Sequence, residues 1–184
     1  MIQFVGLEEI FRAFKKIREG VHDVNLQKAR ADAFEIFAIN RVKVGSAGMS
    51  PISDASKKIA GRNHPPMWNN GYLLRNMKKK EILKQNAYEI GYFKNDKRKS
   101  PYSNLPLSTI ASLQHTGFKV PLQGKKGERV RAFLAVHGIF PKKTRSYLIV
   151  TPRPFLWITA DMYEASRIDD KIIDKEIEKW WNSI

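Results

Sequence analysis

The chain has 184 residues, no cysteine and a formal net charge of +15. That length suits one domain burying roughly 70% of its unfolded surface, and without cysteine there is no disulfide framework or thiolate metal site, which fits a reducing compartment. No apolar run approaches the roughly 18 residues of a membrane span, and the opening MIQFVGLEEIF carries acids and no small-residue cleavage site, unlike a signal peptide.

In chain order, Leu7, Ile10, Phe11, Phe14 and Ile17 fall at helical spacing with Gly20 as a stop. Leu26, Ala29, Ala33, Phe34, Phe37 and Ala38 form a second apolar stripe, from Val24 to about Lys43. Together they predict a helical hairpin over residues 1–45. Residues 50–54 predict the cap of a short helix running from Ser56 to Ala60, and a Gly-Arg-Asn-His-Pro-Pro loop follows. Met67 and Trp68 sit between that loop and an Asn69-Asn70-Gly71 turn. Residues 72–77 and 87–93 read as strands, the first able to begin as a helical turn, with 81–85 in the same hairpin. Residues 94–106 are polar, hold Lys97-Arg98-Lys99 and two prolines, and are expected to be mobile.

Ser108 is the expected cap of the next helix, with Ile110 and Leu113 inward and Gly117 as its end. Residues 118–122 read as a short edge strand and 123–127 as a turn. Residues 128–137 read as a helix with Val130, Phe133, Leu134 and Val136 apolar, stopped by Gly138. Residues 147–150 read as a buried strand. Thr159 or Asp161 is the expected cap of a C-terminal helix over 159–184, whose stripe includes Ile168, Ile172, Ile173, Ile177, Trp180, Trp181 and Ile184. The sum is an α+β fold, a single domain in which N-terminal and C-terminal helices pack an antiparallel sheet, the sheet and its inserted helices occupying residues 66–158.

Two stretches stand apart as candidate contact elements, Gln114-His115-Thr116-Gly117 and Thr151-Pro152-Arg153-Pro154-Phe155-Leu156. Pro152 and Pro154 fix φ and remove two donors, so their segment is extended and leaves a sheet at an edge. Arg153 is then expected to point outward, with Phe155 and Leu156 as anchors, although Phe155 equally suits a core. Trp180 and Trp181 either dock on the chain's own sheet or complete a neighbouring subunit.

Charge is uneven along the chain. Residues 1–40 hold six Lys/Arg against six Asp/Glu, 41–153 hold 23 against five, and 154–184 hold four against seven. A basic middle attracts nucleic acid or an acidic protein face, or serves only as a solvated surface. The nucleic-acid reading uses Lys78, Lys79, Lys80, Lys97, Arg98, Lys99, Lys125 and Lys126, with Tyr92, Phe93 and Tyr102 for stacking. The histidines His22, His64, His115 and His137 have no metal-ligand spacing. There is no GxSxG, GxxxxGK[ST] or GxGxxG element, and Asp54, Glu81, Glu89, Asp96 and Glu128 are scattered through the basic middle. The expectation is a non-enzyme with no catalytic residue, no metal and no cofactor; the Gly124-Lys125-Lys126-Gly127 turn is at most a weak phosphate signal.

The order of MWNNGYLLRNM, STIASLQHTGFKVPL and ERVRAFLAVHGIFPKKTRSYLIVTPRPFL, over about residues 26–165, resembles the virion morphogenesis or tail completion proteins of tailed phages, the Mu-type and P2-type group. In that family a TGxLxxS-like pattern begins the sheet, an HxFG element closes a helix and an xRPFL element leads into the last helix. The matching stretches are residues 70–76, 114–117 and 152–156. Thr116 stands where an aromatic is common, and Asn70 and Asn76 stand where hydroxyl residues are usual. The resemblance implies a small structural protein of the virion neck or tail, present in the host cytoplasm during assembly, that completes the tail and helps join it to the head-tail connector by binding. The implied partners are other copies of itself in a ring, a hexamer among the forms considered, the tail tube or tail terminator, the connector and, in passing, DNA, with no membrane. Arg153, Phe155, Leu156, Trp180 and Trp181 would then make or support the protein contacts.

Overall fold

The computed structural model describes residues 7–21, 23–45, 48–61, 63, 71–85, 87–101 and 103–182. The expectations placed on His22, His64, Met67, Trp68, Asn69, Asn70, Tyr102 and Ile184 therefore lie outside the described residues. The fold is α+β, with eight α-helices and two two-stranded antiparallel sheets among the described residues. It divides into two compact units that interleave in sequence: unit one takes residues 1–38, 78–91 and 160–184, and unit two takes 39–77 and 92–159.

Unit one contains α1 (Leu7–Val21), most of α2 (Val24–Lys43), β1 (Lys78–Ile82), β2 (Ala87–Gly91), the second half of α7 (Phe155–Ala165) and α8 (Ile168–Trp181). The two N-terminal helices form where the apolar spacing predicts them, and the Asp23 carboxylate accepts the Asn25 N–H at 2.6 Å at the start of α2. A Cβ on Gly20 would come 2.5 Å from the Trp180 ring, so α1 and α8 approach through a gap that only glycine leaves. Trp180 thus docks on α1 of its own chain instead of on a sheet. Across α2 and α8, Arg30 Nε donates to both Asp169 oxygens at 2.8 Å. Tyr163 meets the rings of Phe34 and Phe37 edge-on, each at 5.4 Å between centroids.

The hairpin of unit one uses a different first strand from the one predicted. Lys78 pairs with Gly91 and Ile82 with Ala87, so the lysine run itself is strand. Its alternation sends Lys79 to the acids of α2, with Nζ on Asp32 and 2.7 Å from Glu35. Residues 72–77 hold the one-turn helix α4 (Tyr72–Arg75) of unit two, so the helical turn allowed at their start forms and the strand does not. Gly71 enters it at φ 70°, and the Asn76 amide folds back onto the Tyr72 carbonyl at 2.8 Å. That local bond competes with strand pairing.

Unit two also holds the end of α2, α3 (Asp54–Ala60), α5 (Leu107–Thr116), β3 (Phe118–Pro121), α6 (Gly124–Val136), β4 (Tyr147–Val150) and the start of α7. Ser53 caps α3 as expected, its Oγ accepting the Ser56 N–H at 3.2 Å. Phe118 pairs with Val150 and Pro121 with Tyr147. β4 is not buried, because its residues alternate and Ile149 faces solvent. Pro106, not Ser108, precedes α5. α6 starts at Gly124, so the supposed glycine turn is its first turn, and a Cβ on Gly127 would collide with the backbone of Leu122. The helix ends as predicted: Gly138 N–H reaches Ala135 O and Ile139 N–H reaches Leu134 O, both at 2.9 Å.

The C-terminal region is two helices, with Arg167 at φ 53° between them. Thr159, expected as a cap, is fully buried inside α7 and its hydroxyl donates to the Phe155 carbonyl at 2.6 Å. The loop expected to be mobile carries internal bonds. Arg98 donates to Asp96 at 2.8 Å and to the Asn76 carbonyl at 2.7 Å, and the Leu107 N–H returns to Arg98 O at 3.0 Å.

Candidate interaction surface

Both stretches singled out in the sequence meet in unit two. Arg153 N–H donates to the Gln114 carbonyl at 2.7 Å, tying the end of α5 to the segment between the two prolines. Gly117 makes this approach possible. It sits at φ 70°, and a Cβ there would come 2.6 Å from Val150 O and 2.8 Å from Pro152 Cδ. α7 begins directly after Pro154, which cannot extend a strand pairing and sets the helical φ.

This corner decides the fate of the predicted contact residues. Phe155 is 2% exposed, with the Tyr92 ring 6.4 Å away, and belongs to the core. Tyr92 donates its hydroxyl to the Leu73 carbonyl at 2.6 Å, and burial raises its pKa above the usual phenol range. Arg153 is turned outward only in part. Its side chain is half-buried, its Nε is buried without a hydrogen-bond partner, and burial lowers its pKa. Leu156 lines a concavity of about 240 Å³ with Ser108, Ser112, His115 and Trp157. Trp157 is 67% exposed, its ring 6.3 Å from that of His115. Sequence reading missed Trp157. The signal was present: once Phe155 starts a helix and faces inward with Thr159, position 157 falls on the opposite side.

A second organised surface lies at α6. Arg131 gathers five backbone carbonyls: Nε takes Leu122 O at 2.9 Å, Nη1 takes Pro141 O at 2.9 Å, and Nη2 takes Arg145 O at 2.9 Å with Lys142 O and Lys143 O at 3.3 Å. The loop from α6 to β4 therefore wraps four of its carbonyls around one guanidinium. Its own cations, Lys142, Lys143 and Arg145, are left exposed.

The predicted basic set is divided between the two units. Lys78, Lys79 and Lys80 belong to unit one, and Lys97, Arg98, Lys99, Lys125 and Lys126 to unit two. Lys79 is engaged by Asp32 and Glu35, and Arg98 clamps its own loop, so each is held by an internal carboxylate. Lys97, Lys99, Lys125 and Lys126 are exposed. In unit one Trp181 is 54% exposed, whereas the Trp180 ring lies against Gly20 of α1.

The two units divide the charge sharply. Unit two holds 19 Lys/Arg against three Asp/Glu, a net +16, and unit one holds 14 against 15, a net −1. Among the described residues no group of three His, Asp or Glu could hold a metal ion, and no helix is long and apolar enough to cross a membrane. Compared with known proteins, the chain matches no family model, no curated protein and no solved structure.

Proposed function

We propose that the chain is a structural assembly protein of a tailed-phage particle, one that completes the tail and helps join it to the head-tail connector. It works by docking, with no substrate turned over, at the virion neck and before that in the host cytoplasm. The observation that carries this reading is the corner built from α5 and the Pro-Arg-Pro segment, where the Arg153–Gln114 bond and the Gly117 approach hold Trp157 and His115 beside a concavity. A preformed backbone spends little ordering entropy on association, and an exposed indole is a favoured anchor. Two of the three stretches that carry the sequence resemblance to tail completion proteins meet at this corner, which supports the tail tube or terminator, the connector and further copies of the chain as partners.

Co-sedimentation of the purified protein with isolated tails that lack it tests the reading. Wild type is expected to sediment with the tails, and Trp157→Ala to lose most of that binding, on the order of 2 kcal/mol or more, while melting normally. A Trp157→Ala protein that sediments like wild type contradicts the assignment of this corner.

One observation favours a second reading, contact with DNA: the +16 net charge of unit two. Phosphate contacts weaken steeply with salt. A filter-binding titration with no salt-dependent affinity for DNA removes this reading.

A further inference from the structure

The first turns of α6 expose Lys125, Lys126, Glu128 and Arg129, as a helix surface ordinarily does, but its C-terminal half exposes an apolar stripe. Gly127 and Leu134 are buried and Val130 and Arg131 half-buried, while the opposite stripe runs Arg129, Ala132, Phe133 and Val136. Phe133 is 52% exposed, Val136 83%, and Phe140, just beyond the Gly138 turn, 79%. The Phe133 ring is braced by His137 at 4.8 Å. Directly after Phe140 comes the loop that Arg131 holds, with Lys142, Lys143 and Arg145 exposed. From residue 97 to 159 the chain has twelve Lys/Arg and one acid, Glu128.

We propose that this face of α6 is a docking site for an acidic protein segment, one that presents aliphatic or aromatic side chains flanked by Asp or Glu. The inference deepens the assembly reading and rests on it for the partner being a protein. Charge complementarity selects the flanks: Lys142, Lys143 and Arg145 follow directly on the apolar stripe, and Glu128 is the single acid between residues 97 and 159. The apolar centre selects the rest. Ala132 and Val136 give the stripe a methyl centre suited to aliphatic side chains, and the Phe133 ring packs on His137; the exposed Phe140 ring would also accept a base, which the oligo-dT control tests. Two copies meeting face to face would set Lys142, Lys143 and Arg145 against themselves, which disfavours self-pairing here. Because Arg131 already orders the loop, docking does not have to fix it.

Fluorescence anisotropy on the full chain provides the test. The probe is a labelled amphipathic peptide with Leu at i, i+3, i+4 and i+7 and Glu on its other face. The controls are its twin with Lys for Glu, a version with Ser for Leu, labelled oligo-dT, and co-sedimentation with phosphatidylcholine–phosphatidylserine vesicles. The acidic amphipathic peptide is expected to bind at least about tenfold more tightly than either peptide control. Val136→Asp and Phe140→Ser should each weaken it by about tenfold, and Lys142→Glu with Lys143→Glu should weaken it while flattening its salt dependence. All three proteins should keep the wild-type melting temperature; two face variants guard against one of them failing to fold.

The proposal fails if the Ser version binds as well, if both apolar-face variants bind like wild type, or if oligo-dT or the vesicles bind more tightly and lose that binding in the same variants. No readout here involves a virion, so failure of the peptide experiment is distinguishable from failure of the tail co-sedimentation.

Discussion

Arg131 places all three guanidinium nitrogens on backbone carbonyls of unit two, so truncating it leaves the part-buried bonds to Leu122 O and Pro141 O unmade and frees the loop. Arg131→Met is expected to lower stability by roughly 2–4 kcal/mol in chemical denaturation, with Arg131→Lys restoring only part, since an ammonium cannot reproduce the planar fork. Arg153 predicts the opposite sign. Its buried Nε has no acceptor, and replacing an unsatisfied buried donor by an apolar group is neutral or stabilising. Arg153→Met should therefore melt at or above wild type, and a clear drop would show that the guanidinium supports the fold. Sequence spacing revealed that Arg153 sits between two stiff residues. It could not reveal where the side chain goes, because that depends on which chain segments pass beside the prolines.

Tyr163 supplies a pH dependence at the same scale. Burial, with the nearby Asp169 charge, pushes its phenol up to about 12, and Tyr92 is raised by burial as well. A raised folded-state pKa means the unfolded chain ionises first. The stabilisation is complete below the ordinary phenol value of about 10 and is lost as pH rises towards about 12. Denaturation midpoints should thus fall over that window, and Tyr163→Phe should shrink the fall; a midpoint independent of pH there would contradict the buried phenol.

Among the elements, the legible ones are those whose pattern is intrinsic. α1 and α2 follow from apolar residues at helical spacing, and α6 stops where Gly138 completes its cap. The Lys78–Ile82 strand was not legible, since three successive lysines give no alternation until the acids at Asp32 and Glu35 of α2 take Lys79. The start of α6 was missed for a related reason. Gly124 and Gly127 look like a turn, yet Gly127 is required by the Leu122 backbone pressed against it. Gly127→Ala should improve local helix propensity by about 1 kcal/mol. It is nevertheless expected to destabilise the protein, by roughly 1–3 kcal/mol net, because the neighbour is backbone and cannot swing aside. Thermal melting checks the sign, and a stabilised variant would mean that α6 and Leu122 are not in close contact.

On the scale of the whole molecule, the sequence shows a basic middle between neutral and acidic ends, and the fold sharpens it into a unit of +16 and a unit of −1. The interleaved division was not legible, because no linker marks it and two of its boundaries fall inside α2 and α7. The candidate surface was legible in outline. The stretches 114–117 and 151–156 stood out by their prolines, glycine and order, while Trp157 and the α6 face emerged only once burial had been assigned to their neighbours. The central claim is that the chain exists to complete a phage tail through these faces, and electron microscopy of particles made after deletion of its coding sequence tests it most directly. The account predicts separate heads and unfinished tails that wild-type protein converts to joined particles and Trp157→Ala does not; complete, infectious particles formed in normal numbers without the chain would contradict it.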